Sequence, residues 1–541
     1  SASLVTQASP LLIVFEDVHA GDHASIALVD SVLRNLPERP IFAIAFGRPE
    51  VEQRFGSLWA SAAPTTFRLA KLTRRAQTEL AALALGKSAP APLVERIVTL
   101  ADGNPFYLEE LVRHVADADD ALDPGLPETV LAILQGRLDA LGDEAKRVLK
   151  AASVLGEAFW PGAVAQLLGD GVVTPDDLGR ILSALVKNEV LERRTTSRFH
   201  GEEELVFRHA LLREAAYELL SDEDREVAHR RAGHWLESRG GQEPLSLAKH
   251  FELGALRERA ALHFGKAAEQ ALVGSDYGTV VDCASRAFAS GARGEDRGRL
   301  LLLVAEAERW RGRIPAALDA AREAGGLLRA GSLAWFHAKR EQVAAEGRLA
   351  NKDAIFELAE QLLGANAEND ATSAQVAALV PAAVHLLYVG RKGGAQGLAV
   401  GVEALAGRAG ASLEPRARAR LHQLRAALAA ADEDLGRAID EQERALALFD
   451  EASDHRAAAL VCANLAFQWY VIGGYERAET LLRQALATGK RLGLATIVPL
   501  AKQNLGGTLV ARGDLDDGIA VQTEAAEAFA AQKDPRLEGY S

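Results

Sequence analysis

The sequence predicts a mainly α protein: a short α/β segment, a small helical domain, helices followed by a hairpin, and a long α-solenoid. Three observations carry this. Two continuous apolar strand patterns flank a helix-spaced stretch near the start, helical spacing with clear caps takes over from Thr73, and from Ala438 small residues return every 40 positions.

The totals bound the answer. At 541 residues the chain exceeds what one hydrophobic core usually supports, so three to four units are expected. Hydrophobic residues at 48%, charged residues at 25% and 18 prolines mark an ordered protein. The 61 Lys and Arg against 75 Asp and Glu leave a net charge of −14, which excludes bulk attraction to nucleic acid. Cys283 and Cys462 form no CxxC pair and join no cluster at metal spacing, which points to a reducing compartment and no structural zinc. No apolar run approaches the ~18 residues of a membrane span, and SASLVTQASP does not read as a signal peptide. A cytoplasmic protein without a membrane segment is expected. Met is absent everywhere, position 1 included, so the sequence reads as an excerpt of a longer polypeptide.

Leu11 to Phe15 (LLIVF) and Pro40 to Phe46 (PIFAIAF) are continuous apolar runs with β-branched members, and Ser25 to Asn35 between them has helical spacing. Strand, helix, strand at this interval is a βαβ unit, and apolar strands without alternation belong to a parallel sheet covered on both faces. A sheet of two strands is short, so further strands are expected upstream. TRRAQTELAALALG and APLVERIVTLADG follow, each closed by glycine, Gly86 and Gly103. Asn104 then caps a helix with Pro105 in its first turn. Four helical stretches from Glu128 to Asn188 precede two β-prone stretches, Val190 to Arg194 and Leu205 to Arg208, a pattern of helices and hairpin that suggests a winged helix.

Beyond Asp222 the composition is Ala, Leu, Arg and Glu at helical period. Ala438, Ala478 and Gly518 recur at 40 residues, as do Ala445, Ala485 and Ala525, the pairs Asn464/Asn504 and Leu465/Leu505, and Gly473/Gly513. In this unit a small residue lets two helices approach and a glycine makes the turn. Stacked helix pairs form a solenoid whose concave face binds protein segments. The array runs to Gly539, Tyr540 and Ser541 without a polar cap, as if cut within a repeat.

Two motifs carry chemistry. LLIVFEDVHAGD, Leu11 to Asp22, delivers Glu16 and Asp17 to the C-terminal end of a buried strand, where ligands sit in open α/β sheets and where paired acids suit Mg²⁺ and an attacking water. The alternative is a solvated strand end. GRPE, Gly47 to Glu50, places Arg48 beside those acids if the strands are neighbours, where a guanidinium can report on a phosphate; the alternative is a loop arginine. No GxxxxGK followed by Ser or Thr occurs, so the loop that cradles phosphates is not in this sequence. Glu109 with Glu110, and the run Glu202 to Glu204, read as solvated charges. The helix Asp177 to Asn188 carries only Arg180 and Lys187 as cations, poor equipment for reading DNA.

An acid-ended strand, an arginine-ended strand, a helical domain with GNPFYLEEL (Gly103 to Leu111) and a hairpin-bearing helical domain occur in that order. In this the sequence resembles the signal-transduction ATPases with numerous domains, the STAND class of AAA-related P-loop NTPases with C-terminal TPR repeats. LPETVLAILQGRLDALGDEAKRVLKAASVLGEAF and FRHALLREAAYELL look especially like the branch linked to bacterial Ser/Thr protein kinases and adenylate cyclases. The resemblance spans about residues 4 to 260.

It implies the C-terminal half of a P-loop ATPase core at 1–65, a helical lid at 66–122, a winged helix at 123–220 and a TPR-like α-solenoid at 221–541. It makes Glu16 and Asp17 the Walker B acids that hold Mg²⁺, Arg48 the sensor arginine, Gly103 and Pro105 the element packed against adenine, and His209 the histidine that touches the ADP phosphate. Two positions depart from the pattern: Ala20 stands for a frequent Trp and Ala210 for a frequent Asp. His209 also reads as a packing residue on an amphipathic helix, and Gly103 and Pro105 as a helix C-cap and the next helix's N1 proline.

The implied function is a nucleotide-dependent regulatory switch using ATP/ADP and Mg²⁺ in the full-length protein. A protein partner would bind on the solenoid, and a kinase effector domain would precede the ATPase. This segment alone is expected to be inactive as an ATPase. The alternatives are a TPR interaction scaffold with a degenerate ATPase remnant, and a transcription regulator of the maltose-activator type.

Overall fold

The computed structural model describes residues 10–21, 23–36, 38–55, 58–59, 64–86, 89–117, 129–169, 171–240, 243–368 and 371–532. It divides into two compact units, Pro64–His263 and a second that takes in Ser1–Ala63 and Phe264–Ser541. Asp22, the expected boundary at 122/123 and the expected run-out at Gly539 to Ser541 lie outside the described residues. No helix among the described residues is long and apolar enough to cross a membrane.

The fold is mainly α with few strands. Near the start, β1 (Leu11–Phe15), α1 (His23–Asn35) and β2 (Ile41–Ala45) form the expected βαβ unit, with α2 (Glu50–Phe55) after it. The strands pair in parallel, Leu11 opposite Ile41 and Phe15 opposite Ala45, which requires a crossover of the kind α1 supplies. The buried Trp59 ties strand to helix: its Nε1 donates to Ile26 O at 3.3 Å and its ring lies 5.6 Å from Phe15. Leu12, Phe42 and Phe46, which share one face of the pair, are more than half exposed, so that face carries uncovered apolar side chains among the described residues.

In Pro64–His263, α3 (Arg74–Leu85), α4 (Ala91–Ala101) and α5 (Pro105–Asp117) enclose a core of Ala81, Ile97 and Leu111. Next come α6 (Val130–Asp139), α7 (Asp143–Leu155), α8 (Pro161–Leu168) and α9 (Pro175–Lys187). Their sheet is antiparallel, with β5 (Leu205–Phe207) between β3 (Ala158–Phe159) and β4 (Leu191–Arg193). The expected hairpin is present. The third strand is two residues long, too short for alternation to reveal. Phe199, beyond β4, meets Trp160 edge-on at 4.6 Å, and Trp160 stacks on Trp235 at 5.7 Å, which fastens the hairpin to the later helices. Those helices are α10 (Ala210–Glu218), α11 (Asp222–Arg239) and α12 (Pro244–Leu253).

Helix pairs follow from α13 (Arg257–Val273) and α14 (Tyr277–Ala289) onward. They are α15 (Gly294–Trp310) with α16 (Ile314–Leu327), α17 (Leu333–Arg348) with α18 (Lys352–Gly364), and α19 (Thr372–Tyr388) with α20 (Lys392–Ala409). Then come α21 (Pro415–Ala431) with α22 (Leu435–Glu451), α23 (His455–Val471) with α24 (Tyr475–Arg491), and α25 (Ile497–Arg512) with α26 (Leu515–Ala531). The 40-residue signature falls where it should. Ala438 and Ala478 are fully buried near the starts of α22 and α24, and Gly473 and Gly513 turn the chain at φ +82° and +100°. A Cβ on Gly518 would stand 2.6 Å from Val510 Cγ2 and 3.0 Å from Gly506 O, closer than side chains pack. Small residues thus set the helix spacing.

The array also meets itself. Tyr277 Oη donates to Leu492 O at 3.1 Å, Ala495 N to Trp310 O at 2.8 Å, and Arg456 Nη2 to Ser275 Oγ at 3.0 Å. Its late helix pairs therefore close onto its early ones.

One contact makes stability depend on pH. Tyr217 Oη lies 2.9 Å from His229 Nε2, and His229 Nδ1 lies 3.0 Å from His250 Nδ1, so one of the two facing nitrogens must be bare to accept. Burial pushes both imidazoles down to about 4, and for His229 the neighbouring His250 adds to it. The folded state keeps them neutral while the unfolded chain takes up protons below its ordinary histidine pKa. The stability they contribute is therefore full above about pH 6.5 and is lost as pH falls toward 4, by on the order of 3 kcal/mol. Urea midpoints measured at intervals from pH 7.5 to 4.5 should fall steeply below pH 6.5, and His250→Phe should flatten that slope.

Candidate functional site

The acids and arginine of the first motifs sit at one edge of the parallel pair. The ladder continues past the strands: Phe46 N donates to Phe15 O at 2.8 Å and Val18 N to Phe46 O at 2.9 Å. This brings Glu16 and Asp17 to the same C-terminal edge as Arg48, and all three are exposed. Asp17 adopts the left-handed conformation, φ 48°, rare for a residue with a Cβ, and its Oδ1 lies 3.7 Å from His19 Nδ1. Gly47 is tight for a physical reason, since a Cβ there would meet Val51 Cγ2 at 2.7 Å and Val18 Cγ1 at 2.8 Å. Exposed carboxylates at a strand end are hard oxygen donors of the kind Mg²⁺ takes.

The second set gathers in Pro64–His263. Asp102 and Gly103 end α4 in left-handed conformations, φ 44° and +80°. Gly103 N donates to Gln77 Oε1 at 3.0 Å, and a Cβ on Gly103 would press on Lys71 Cβ at 2.7 Å. The glycine is thus buried under the segment before α3. Asn104 Oδ1 accepts from Phe106 N at 3.0 Å and Tyr107 N at 3.2 Å, the cap expected of it, with Pro105 at N1.

Pro105 and His209, 104 positions apart in sequence, line one cavity of about 460 Å³ together with Asn104, Phe106, Glu109, Arg208, Ala210 and Leu211. The His209 and Phe106 rings lie 4.5 Å apart and tilted. His209 is the N-cap of α10, not a residue of its apolar face, and burial lowers its pKa below the ordinary value. Gly103 shapes the turn below this cavity and does not line it. The cavity offers a proline, an aromatic ring, an imidazole, the Arg208 guanidinium already paired with Glu189, and the Glu109 carboxylate: two flat apolar surfaces, two groups that can meet an anion and one that opposes it.

What holds it was misread in the sequence. Glu110, expected to be solvated, is buried, and Arg137 Nη1 reaches both of its oxygens at 3.0 and 3.2 Å. The same guanidinium donates through Nη2 to Asn188 O at 2.9 Å and Glu189 O at 3.3 Å. Beside it, Arg113 and Arg208 both hold Glu189 Oε2 at 2.9 Å, and these hydrogen bonds keep the Glu189 carboxyl below its ordinary pKa. Glu204 is likewise buried, accepting from Arg198 N at 2.9 Å and pairing with Arg194. At Glu109 and Glu110 an acidic doublet splits, one carboxylate exposed and one facing an arginine 27 residues away, while Glu204 is held by an arginine across its own hairpin. No local pattern signals that.

No family model matches the chain. Over 47% of its length it is 27% identical to an uncharacterized protein of Rhizobium meliloti, and it spans about a quarter, 25%, of that protein. Among solved structures, a STAND protein with a tetratricopeptide repeat sensor from Pyrococcus horikoshii aligns with 97% of this chain and 69% of its own, at 16% identity and a TM-score of 0.36. A Rap protein complexed with Competence and Sporulation Factor aligns with 76% of this chain and 94% of its own, at 11% identity and a TM-score of 0.29. At these scores the likenesses carry no weight, and the helical-repeat fold rests on the helix pairs and their 40-residue spacing.

The split doublet makes a sharp contrast between neighbours. Glu110→Ala strands the Arg137 guanidinium and should cost about 3 kcal/mol, whereas Glu109→Ala removes an exposed pair with Arg113 and should cost under about 1 kcal/mol. Urea denaturation of the two variants side by side measures the difference.

Proposed function

We propose that this chain is the regulatory part of a nucleotide-dependent signalling switch of the STAND type, with a helical-repeat array that senses a protein partner. In this reading residues 10–59 belong to a P-loop ATPase core, α3 to α5 are its lid, and α6 to α10 with their small sheet are a winged helix. The observation that carries it is the shared cavity: the lid's Pro105 and the α10 cap His209, far apart in sequence, come together with Phe106 and Arg208 on one concave surface.

The residues present fit part of such a nucleotide. Within Pro64–His263, Pro105 and Phe106 offer flat surfaces to a base and Arg208 and His209 suit a phosphate; by themselves, Glu16 and Asp17 of the other unit are oxygen donors of the kind Mg²⁺ takes. The backbone nest and lysine that hold phosphates are not in this sequence, so tight binding and turnover are proposed for the longer polypeptide. Bound nucleotide would supply differential contacts that favour a closed arrangement, and a partner on the array would shift the population away from it. A Ser/Thr kinase is the proposed effector.

The test uses the full reading frame. Labelled ADP should bind, His209→Ala should weaken it about tenfold, the loss of one charge-assisted hydrogen bond, and Asp17→Ala should abolish ATP turnover while leaving the fold intact. Unchanged ADP affinity in His209→Ala would make the histidine a packing residue, and no ADP binding at all would leave an interaction scaffold as the surviving reading.

A further inference from the structure

The closure of the array brings charged side chains of separate helix pairs together. Arg309 of α15 and Arg340 of α17 both hold Glu341. Arg416 of α21 reaches Asp454, at the start of α23, at 3.5 Å. Arg456 of α23 approaches Glu306 of α15 at 3.9 Å, and Glu306 also accepts from Trp310 Nε1 at 3.2 Å. The Asp454 charge acts on both Arg340 and Arg420, and the Arg340 and Arg309 charges act on Arg420.

Arg420 differs from the rest. Glu341, Asp454 and Glu306 are each engaged by another arginine, and Arg420 forms no ion pair among the described residues. Its Nη1 donates to Gln423 Oε1 at 2.9 Å, and its guanidinium lies 5.0 Å from the centre of the buried Phe449 ring, which fixes the plane of the fork. Burial, with the Arg340 and Arg309 charges behind it, lowers its pKa to about 10, still charged at neutrality. A cation so placed is stabilised by an arriving carboxylate, and the rigid fork accepts it in a bidentate manner.

We propose that the array recognises an extended partner segment through an acidic side chain, whose carboxylate is received by Arg420 in the field of Arg340 and Arg309. This rests on the reading that the array binds a protein segment and adds the chemistry of that segment. Carboxylates interleaved among the arginines suit isolated acidic residues on a peptide; a phosphodiester chain needs an unbroken cationic track, and the net charge of −14 opposes it.

The experiment uses the full 541-residue chain and two pools of fluorescein-labelled dodecapeptides, random and neutral except for one central Glu or, in the second pool, Gln. Fluorescence anisotropy should show the Glu pool binding about tenfold more tightly, the worth of one bidentate pair. Arg420→Gln should erase that difference, Arg420→Lys should restore part of it, and the exposed Arg418→Gln should leave it unchanged. Among the described residues Arg420 has no ion-pair partner to strand, and melting followed by circular dichroism checks that each variant folds. Equal binding of both pools, unaltered by Arg420→Gln, would overturn the acidic recognition and leave the array reading standing. Binding of neither pool would remove both. Displacement of the Glu pool by a dodecathymidylate would overturn the proposal in favour of nucleic acid.

Discussion

The helix pairs that carry the 40-residue signature depend on close approach through residues with little or no side chain. A pair of amphipathic helices cannot bury its apolar stripe alone, so each must be covered by the next, and the spacing between them is set by the smallest groups at the contact. Ala438 and Ala478 hold that place, and at Gly518 even a methyl group would press into Val510 and the Gly506 carbonyl. The interval of 40 exceeds the roughly 34 residues of the TPR unit because helices such as α22, α23 and α24 each run 17 residues.

Pro64–His263 is organised by a different constraint, the satisfaction of a buried charge. Arg137 spends its two terminal nitrogens on Glu110 and on two carbonyls of the turn before β4, so one side chain fixes α5, α6 and that turn together. Arg113 and Arg208 add a second tie at Glu189, which the chain presents in the left-handed conformation at φ 55°. The cavity shared by Pro105 and His209 exists because these ties hold its two walls.

Much of the fold was legible because it follows local rules. The βαβ unit announced itself through LLIVF and PIFAIAF, the α5 cap through Asn104 and Pro105, and the repeats through Gly473 and Gly513. The site was legible only in part. Local chemistry explained Gly103 as a turn residue and motif order singled out His209, but nothing local showed that Phe106 would meet His209 or that Glu110 would turn inward beside an exposed Glu109. Those depend on which distant arginine arrives. The same holds for the array: its period could be read, but the contact of Tyr277 with Leu492 joins residues 215 positions apart.

That contact changes the mechanics of the array. An open solenoid stretches like a spring, each joint yielding a little, and ligands slide in from the side. Bonds at Tyr277, Trp310 and Arg456 fasten the winding into a hoop, whose compliance is set by its clasp instead of its joints. A segment bound inside a hoop enters end-on or waits for the clasp to part. For the proposed partner segment, residence would then be set by a few hydrogen bonds of the clasp as well as by the groups that recognise it.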